Sequence, residues 1–122
     1  GRKFTIPYGL YKAQGFVNPF LANQTGFNDD DLELLFQSVE NAFQFDQSAA
    51  RPAGSMNPRS LIVFRHPNKL GVAPSYQLLE GVIVKRKERV DVPRSYDDYE
   101  VAISESILNL CKEKGIEIIH RI

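Results

Sequence analysis

The sequence predicts an α+β domain in which an antiparallel sheet carries helices on one face. Three observations lead there. Apolar residues recur at helical spacing near 29–44 and 106–114. Short β-branched and aromatic runs stand at 4–17, 61–64, 82–87 and 116–122, with 99–103 readable as one more. Proline and glycine punctuate the stretches between them. The chain has 122 residues, 43% hydrophobic and 25% charged, which suits one ordinary globular domain able to bury a core without disulfides or metals.

Taken in order, residues 4–17 read as a long strand, with Pro7, Gly9 and Gly15 marking an edge, a bulge or a close backbone approach. Asn18-Pro19 ends it, and a loop is expected to follow. The helix over 29–44 is the best signalled element. Leu32, Leu35, Phe36, Val39, Ala42 and Phe43 form one face, Asn28 is a good N-cap, and Asp29, Asp30 and Asp31 sit at the positive end of the helix dipole. Phe27 and Leu32 occupy the positions of a hydrophobic staple. Residues 46–60 are a polar, basic loop holding Pro52, Gly54 and Pro58.

Leu61–Phe64 reads as a buried strand closed by Arg65-His66-Pro67, and a loop runs through residues 70–74. Residues 75–79 suggest a helical turn, and 82–87 a strand that ends in the basic run 85–89. After the basic loop at Pro93-Arg94-Ser95 come a further strand at 99–103, a helix over 106–114 stopped by Gly115, and a last strand at 116–122. Strand, helix, strand, strand, helix, strand is the order of a ferredoxin-like or RNA-recognition-like sandwich. There is no internal repeat, so the whole chain is read as a single domain, 1–122.

Fifteen basic and fifteen acidic residues cancel, which excludes a generally basic nucleic-acid-coating protein. The distribution says more than the total. Residues 1–28 and 51–94 are net basic, by three and six charges, while 29–50 and 95–122 are net acidic, by six and three. Such blocks can place a polyanion on one face and a neighbour on another, or simply pair within the fold. No apolar run is long enough to span a membrane, no leader pattern opens the chain, and the single Cys111 excludes an internal disulfide. A cytoplasmic location is the expectation.

Enzyme chemistry finds little support. His66 and His120 stand far apart with no cysteine pair, so no metal and no other cofactor is expected. Cys111 falls on the apolar side of its helix, where a thiol behaves as a small hydrophobe. The acids at 29–31 and 97–98 precede regular elements and read as caps. No nucleophile elbow or phosphate loop occurs. A histidine-dependent RNA-processing nuclease is the weaker remaining enzyme reading. Nucleic-acid binding survives better: Arg51, Arg59, Arg65 and Arg94 lie in or beside polar loops, and Tyr8, Tyr11 and Phe16 could offer stacking faces. Against this, Tyr8 and Tyr11 read slightly better as sheet packing, and the run 85–89 equally well as a charged edge strand.

Several ordered stretches carry a resemblance: GRKFTIPYGLYKAQGFV (residues 1–17), TGFNDDDLELLF (25–36), DQSAAR (46–51), LIVFRH (61–66) and LGVAP (70–74). Together they resemble the C-terminal half of the repeated backbone subunit of type I-C CRISPR surveillance complexes, or Cascade. The resemblance covers nearly the entire chain and weakens after Arg94. It implies a non-catalytic protein with an RNA-recognition-like core. Copies of it would polymerise along one CRISPR RNA, beside other Cascade subunits, gripping the sugar–phosphate backbone and leaving bases free to pair with target DNA. The family's N-terminal half, with its Asn-Pro-Asn-Gly-Asp-Pro-like segment, has no counterpart here, so this chain is expected to be the C-terminal portion of a longer subunit. The expected RNA-binding residues are Arg51, Arg59, Arg65 and His66, which flank the matched motifs, and Lys85, Arg86 and Lys87, on charge alone. The alternative is a small α+β protein-interaction or oligomerisation domain that binds no nucleic acid.

Overall fold

The computed structural model describes residue 2 and residues 4–122. Helices and antiparallel strands are mixed along the chain, an α+β composition. In order they are α1 (Pro19–Thr25), α2 (Asp29–Glu40), β1 (Ile62–Arg65), α3 (Ser75–Glu80), β2 (Val82–Arg86), a 3-10 turn (Tyr96–Asp98), β3 (Tyr99–Ile103), α4 (Glu105–Lys114) and β4 (Glu117–His120). The strands form two separate antiparallel ribbons, β1 with β4 and β2 with β3.

Two expectations need correction. Residues 4–17 form no strand; they run as irregular, mostly exposed chain. Their composition favours strand, but a strand also needs a partner for its backbone groups, and none of these residues makes a backbone hydrogen bond to another described segment. Pro7, moreover, has no N–H to give. The segment is fastened by two side chains. Lys12 Nζ donates to the carbonyls of Val82 (2.9 Å) and Leu79 (3.4 Å), and the Tyr8 ring meets that of Tyr99. The second correction is α1, which stands where a loop was expected. Asn18 Oδ1 accepts the Phe20 and Leu21 N–H groups, Pro19 takes the first turn, where its missing N–H costs nothing, and Gly26 ends the helix at φ 78°.

α2 follows its signals at the start and stops early. Asn28 and Asp31 exchange side-chain-to-backbone hydrogen bonds in a capping box, but Asn41 ends the helix, leaving Ala42 and Phe43 in turns. Ser104 caps α4, and Gly115 closes it in the left-handed conformation at φ 73°.

The fully buried core is small: Leu78, Ile107, Cys111 and Ile116. Phe64 and Ile118 from one ribbon and Ile103 from the other pack on it, so α4 is the element that joins the two ribbons. α4 comes close because Gly81, between α3 and β2, has no side chain. A Cβ there would stand 2.8 Å from Ile107 Cβ and nearer still to its Cγ1.

α2 is attached differently. Among the described residues, every hydrogen bond leaving it for another part of the chain ends on Arg121, just past β4. The Arg121 guanidinium holds both carboxylate oxygens of Glu33 (2.8 and 2.9 Å), donates from Nε to Glu40, and lies 5.0 Å from the Phe36 ring centroid. These bonds hold Glu33 below its ordinary pKa and Arg121 above its own.

Two outcomes follow from this packing. Gly81→Ala forces Ile107 out of place, and the resulting overpacking lowers stability by about 1–3 kcal/mol. Gly15→Ala, which would meet nothing within 4 Å, is the near-neutral control in the same urea titration. Arg121→Met releases α2 and lowers the unfolding midpoint at neutral pH. A carboxylate with a depressed folded pKa stabilises above its unfolded value and loses that contribution as pH falls through the folded one. The gap between wild type and Arg121→Met therefore narrows on acidification below the ordinary glutamate range of about 4.

Candidate nucleic-acid interface

Cations gather at the connection between β2 and β3, and the ribbon's register decides how they are presented. Arg86 pairs with Tyr99, Lys85 with Glu100 and Val84 with Val101. Side chains alternate across a strand, so Arg86 and Tyr99 share the inner face with Val84 and Val101, while Lys85 and Glu100 share the outer face. The basic run is thus split between two faces. Lys85 Nζ lies 3.6 Å from Glu100, an exposed pair.

The connection itself is tightly tied. Lys87 N–H donates to the Asp98 carbonyl at 2.9 Å, and Arg86 Nη1 donates to the Asp91 carbonyl at 2.6 Å. Asp98 Oδ2 accepts the backbone N–H groups of Arg94 (2.7 Å) and Ser95 (3.1 Å). Those bonds, the one from Arg94 foremost and aided by the Lys87 charge, hold the Asp98 carboxyl below its usual range. Arg89 takes a left-handed φ of 71°, an uncommon conformation for a side-chain-bearing residue, and places its side chain at the turn. Lys87, Arg89 and Arg94 have no salt-bridge partner among the described residues.

Arg59 reaches this connection from the preceding loop, its guanidinium 4.6 Å from the Tyr96 ring centroid. Three of the seven expected residues, Arg59, Arg86 and Lys87, are therefore brought to one end of the β2–β3 ribbon. The other four are not. Lys85 faces the opposite side, and Arg51 pairs with Asp46 at 3.6 Å within its own loop. Arg65 ends β1 opposite Glu117, exposed and without a salt bridge among the described residues. His66 is half-buried, and its Nδ1 accepts the Val72 N–H at 3.1 Å, so it braces the loop that turns at Gly71 (φ 85°).

Arg89 and Arg94 lie in the same connection; Arg94 reads as a loop cation suited to nucleic acid, but neither stands in the expected RNA-binding set. Their signal was present in the basic run and in Pro93-Arg94-Ser95. The Tyr8–Tyr99 and Arg59–Tyr96 contacts join residues distant in sequence and had no local signal.

His66 and His120 lie toward opposite ends of the β1–β4 ribbon. Among the described residues no group of three or more His, Cys, Asp or Glu side chains could hold a metal ion. Cys111 is buried, and desolvation pushes its thiol pKa up. No described helix is long and apolar enough to cross a membrane.

An α+β chain with a cation-rich hairpin end is the class that this geometry defines. The family model of the CRISPR-associated protein Cas7 matches residues 1–104, and the chain belongs to that family. The match spans the whole cation cluster and ends at the start of α4, before Arg121. No curated protein matches the chain.

Proposed function

We propose that this chain is a non-catalytic, CRISPR RNA-binding backbone subunit of a type I-C effector complex, working in the cytoplasm. On this reading it grips the guide's sugar–phosphate backbone and assembles with further copies of itself and with other Cascade subunits. The bases stay free to pair with target DNA. The observation that carries the reading is the set of cations at the β2–β3 connection, of which Lys87, Arg89 and Arg94 make no salt bridge among the described residues, in a chain of the Cas7 family.

Arg59, Arg86 and Lys87 are the central RNA contacts, joined by Arg89 and Arg94. Arg51 and Lys85 contribute by exchanging exposed carboxylate partners for phosphate. Arg65 and the remaining ring nitrogen of His66 extend the grip along β1. Such a surface suits RNA because arginine and lysine on short turns follow phosphates without reading bases.

The chain is further proposed to be the C-terminal portion of a longer subunit with a ferredoxin-like, RNA-recognition-like core. Two open ribbons support this, as does the exposure of Phe4 (92%) and Phe16 (70%) on a segment of strand-like composition that forms no strand. The total accessible surface is 9607 Å². A compact monomer of 13.8 kDa would expose about 6,600 Å² by surface-to-mass scaling. The same excess favours the second reading, a protein-interaction or oligomerisation domain without nucleic acid.

Fluorescence anisotropy with a labelled single-stranded RNA separates the two. The RNA reading expects saturable, sequence-tolerant binding that weakens steeply with salt. A variant with Lys87, Arg89 and Arg94 all changed to alanine is expected to lose the share of that salt dependence which three phosphate contacts supply. That share corresponds to about twenty-fold of the weakening between 50 and 200 mM salt. Self-association with no salt-sensitive RNA binding would instead establish the interaction domain.

A further inference from the structure

Resting on the RNA-binding reading, we propose that Asp98, an acid inside the basic β2–β3 connection, is a positioning residue of the RNA grip. Its carboxylate raises RNA affinity by fixing the limb that carries Arg94 against the limb that carries Lys87. Charge alone argues the reverse, because a carboxylate beside bound phosphates repels them.

Asp98 reaches both limbs. Its carbonyl accepts the Lys87 N–H at 2.9 Å, where the chain leaves β2. Its Oδ2 accepts the Arg94 N–H at 2.7 Å and the Ser95 N–H at 3.1 Å, where the chain returns toward β3. The Ser95 bond is half of a capping box on the 3-10 turn. The Arg94 bond lies one residue outside that box and is the shorter of the two. Capping the turn does not require it; holding Arg94 does.

The cations held in this way face solvent. Lys87 and Arg94 are exposed and make no salt bridge among the described residues. Ordering a long cationic side chain and its loop at the moment of binding costs affinity, and a limb already in place lowers that cost. Asp97 supplies the contrast. It is exposed, and its side chain makes no hydrogen bond or salt bridge among the described residues, whereas Asp98 is half-buried and takes both N–H groups on one oxygen. Two adjacent acids carry the same charge, and only one of them holds the loop.

The test measures anisotropy of a short labelled oligouridylate across a salt series, for wild type and for Asp97→Ala, Asp98→Ala and Asp98→Asn. Asp97→Ala removes a charge without a hydrogen bond and is expected to bind as tightly as wild type or more so. Asp98→Ala removes the same charge, yet is expected to bind about fivefold more weakly, with a shallower salt slope. Asp98→Asn, whose amide oxygen can accept both N–H groups, is expected to bind at least as tightly as wild type. If Asp98→Ala binds as tightly as Asp98→Asn, the positioning role is overturned and the RNA grip stands. A second measurement needs no variant: in the free wild type the Arg94 and Ser95 amides are expected to exchange slowly. Exchange at the rate of an unstructured peptide also overturns the proposal. Wild type that shows no salt-sensitive binding overturns the RNA reading itself.

Discussion

The architecture depends on one close approach, Ile107 of α4 against the bare backbone of Gly81. Because nothing projects from Gly81, α4 can settle over the α3–β2 junction and bury Leu78, Ile107, Cys111 and Ile116 together. That cluster is the only fully buried apolar one among the described residues, and both ribbons lean on it: Ile103 from β2–β3, Phe64 and Ile118 from β1–β4. The position of the basic hairpin end relative to the rest of the molecule follows from this contact. Interiors packed near crystal density tolerate little added volume, so a single methyl group matters here.

Charge is sorted by use. Glu33 and Glu40 of α2 meet Arg121 from the end of the chain; among the described residues of the basic stretch between 51 and 94, Arg51 alone pairs with the acidic block at 29–50, through Asp46. Asp98 is committed to backbone donors and Glu100 to Lys85. What remains is a β2–β3 connection in which Lys87, Arg89 and Arg94 make no salt bridge among the described residues. Pairing within the fold takes a share of the charge blocks, and the proposed RNA contacts draw on the rest.

Much of this was legible in the sequence, and what was not has a physical reason. Asn28, Gly115 and the alternating run at 99–103 marked their elements because capping and period-2 patterning are local. α1 was equally marked by Asn18, Pro19 and Gly26. Read only as a breaker, Pro19 hid a helix that it in fact starts. Residues 4–17 have strand propensity without a strand, since propensity does not supply a pairing partner. The Arg121 clamp spans 81 and 88 residues to Glu40 and Glu33, and no window of sequence could reveal it. Within the basic run, composition marked Lys85, Arg86 and Lys87 alike. Only the register showed that Lys85 faces away from Arg86.

The central claim is that the β2–β3 connection is the surface that meets RNA. Amide hydrogen exchange of the 122-residue chain, with and without a saturating single-stranded RNA at low salt, tests it most directly. The account expects slowed exchange over residues 85–99, with α1 and α2 unchanged. Protection centred on α1 and α2, with the β2–β3 connection exchanging as in the free chain, would contradict it.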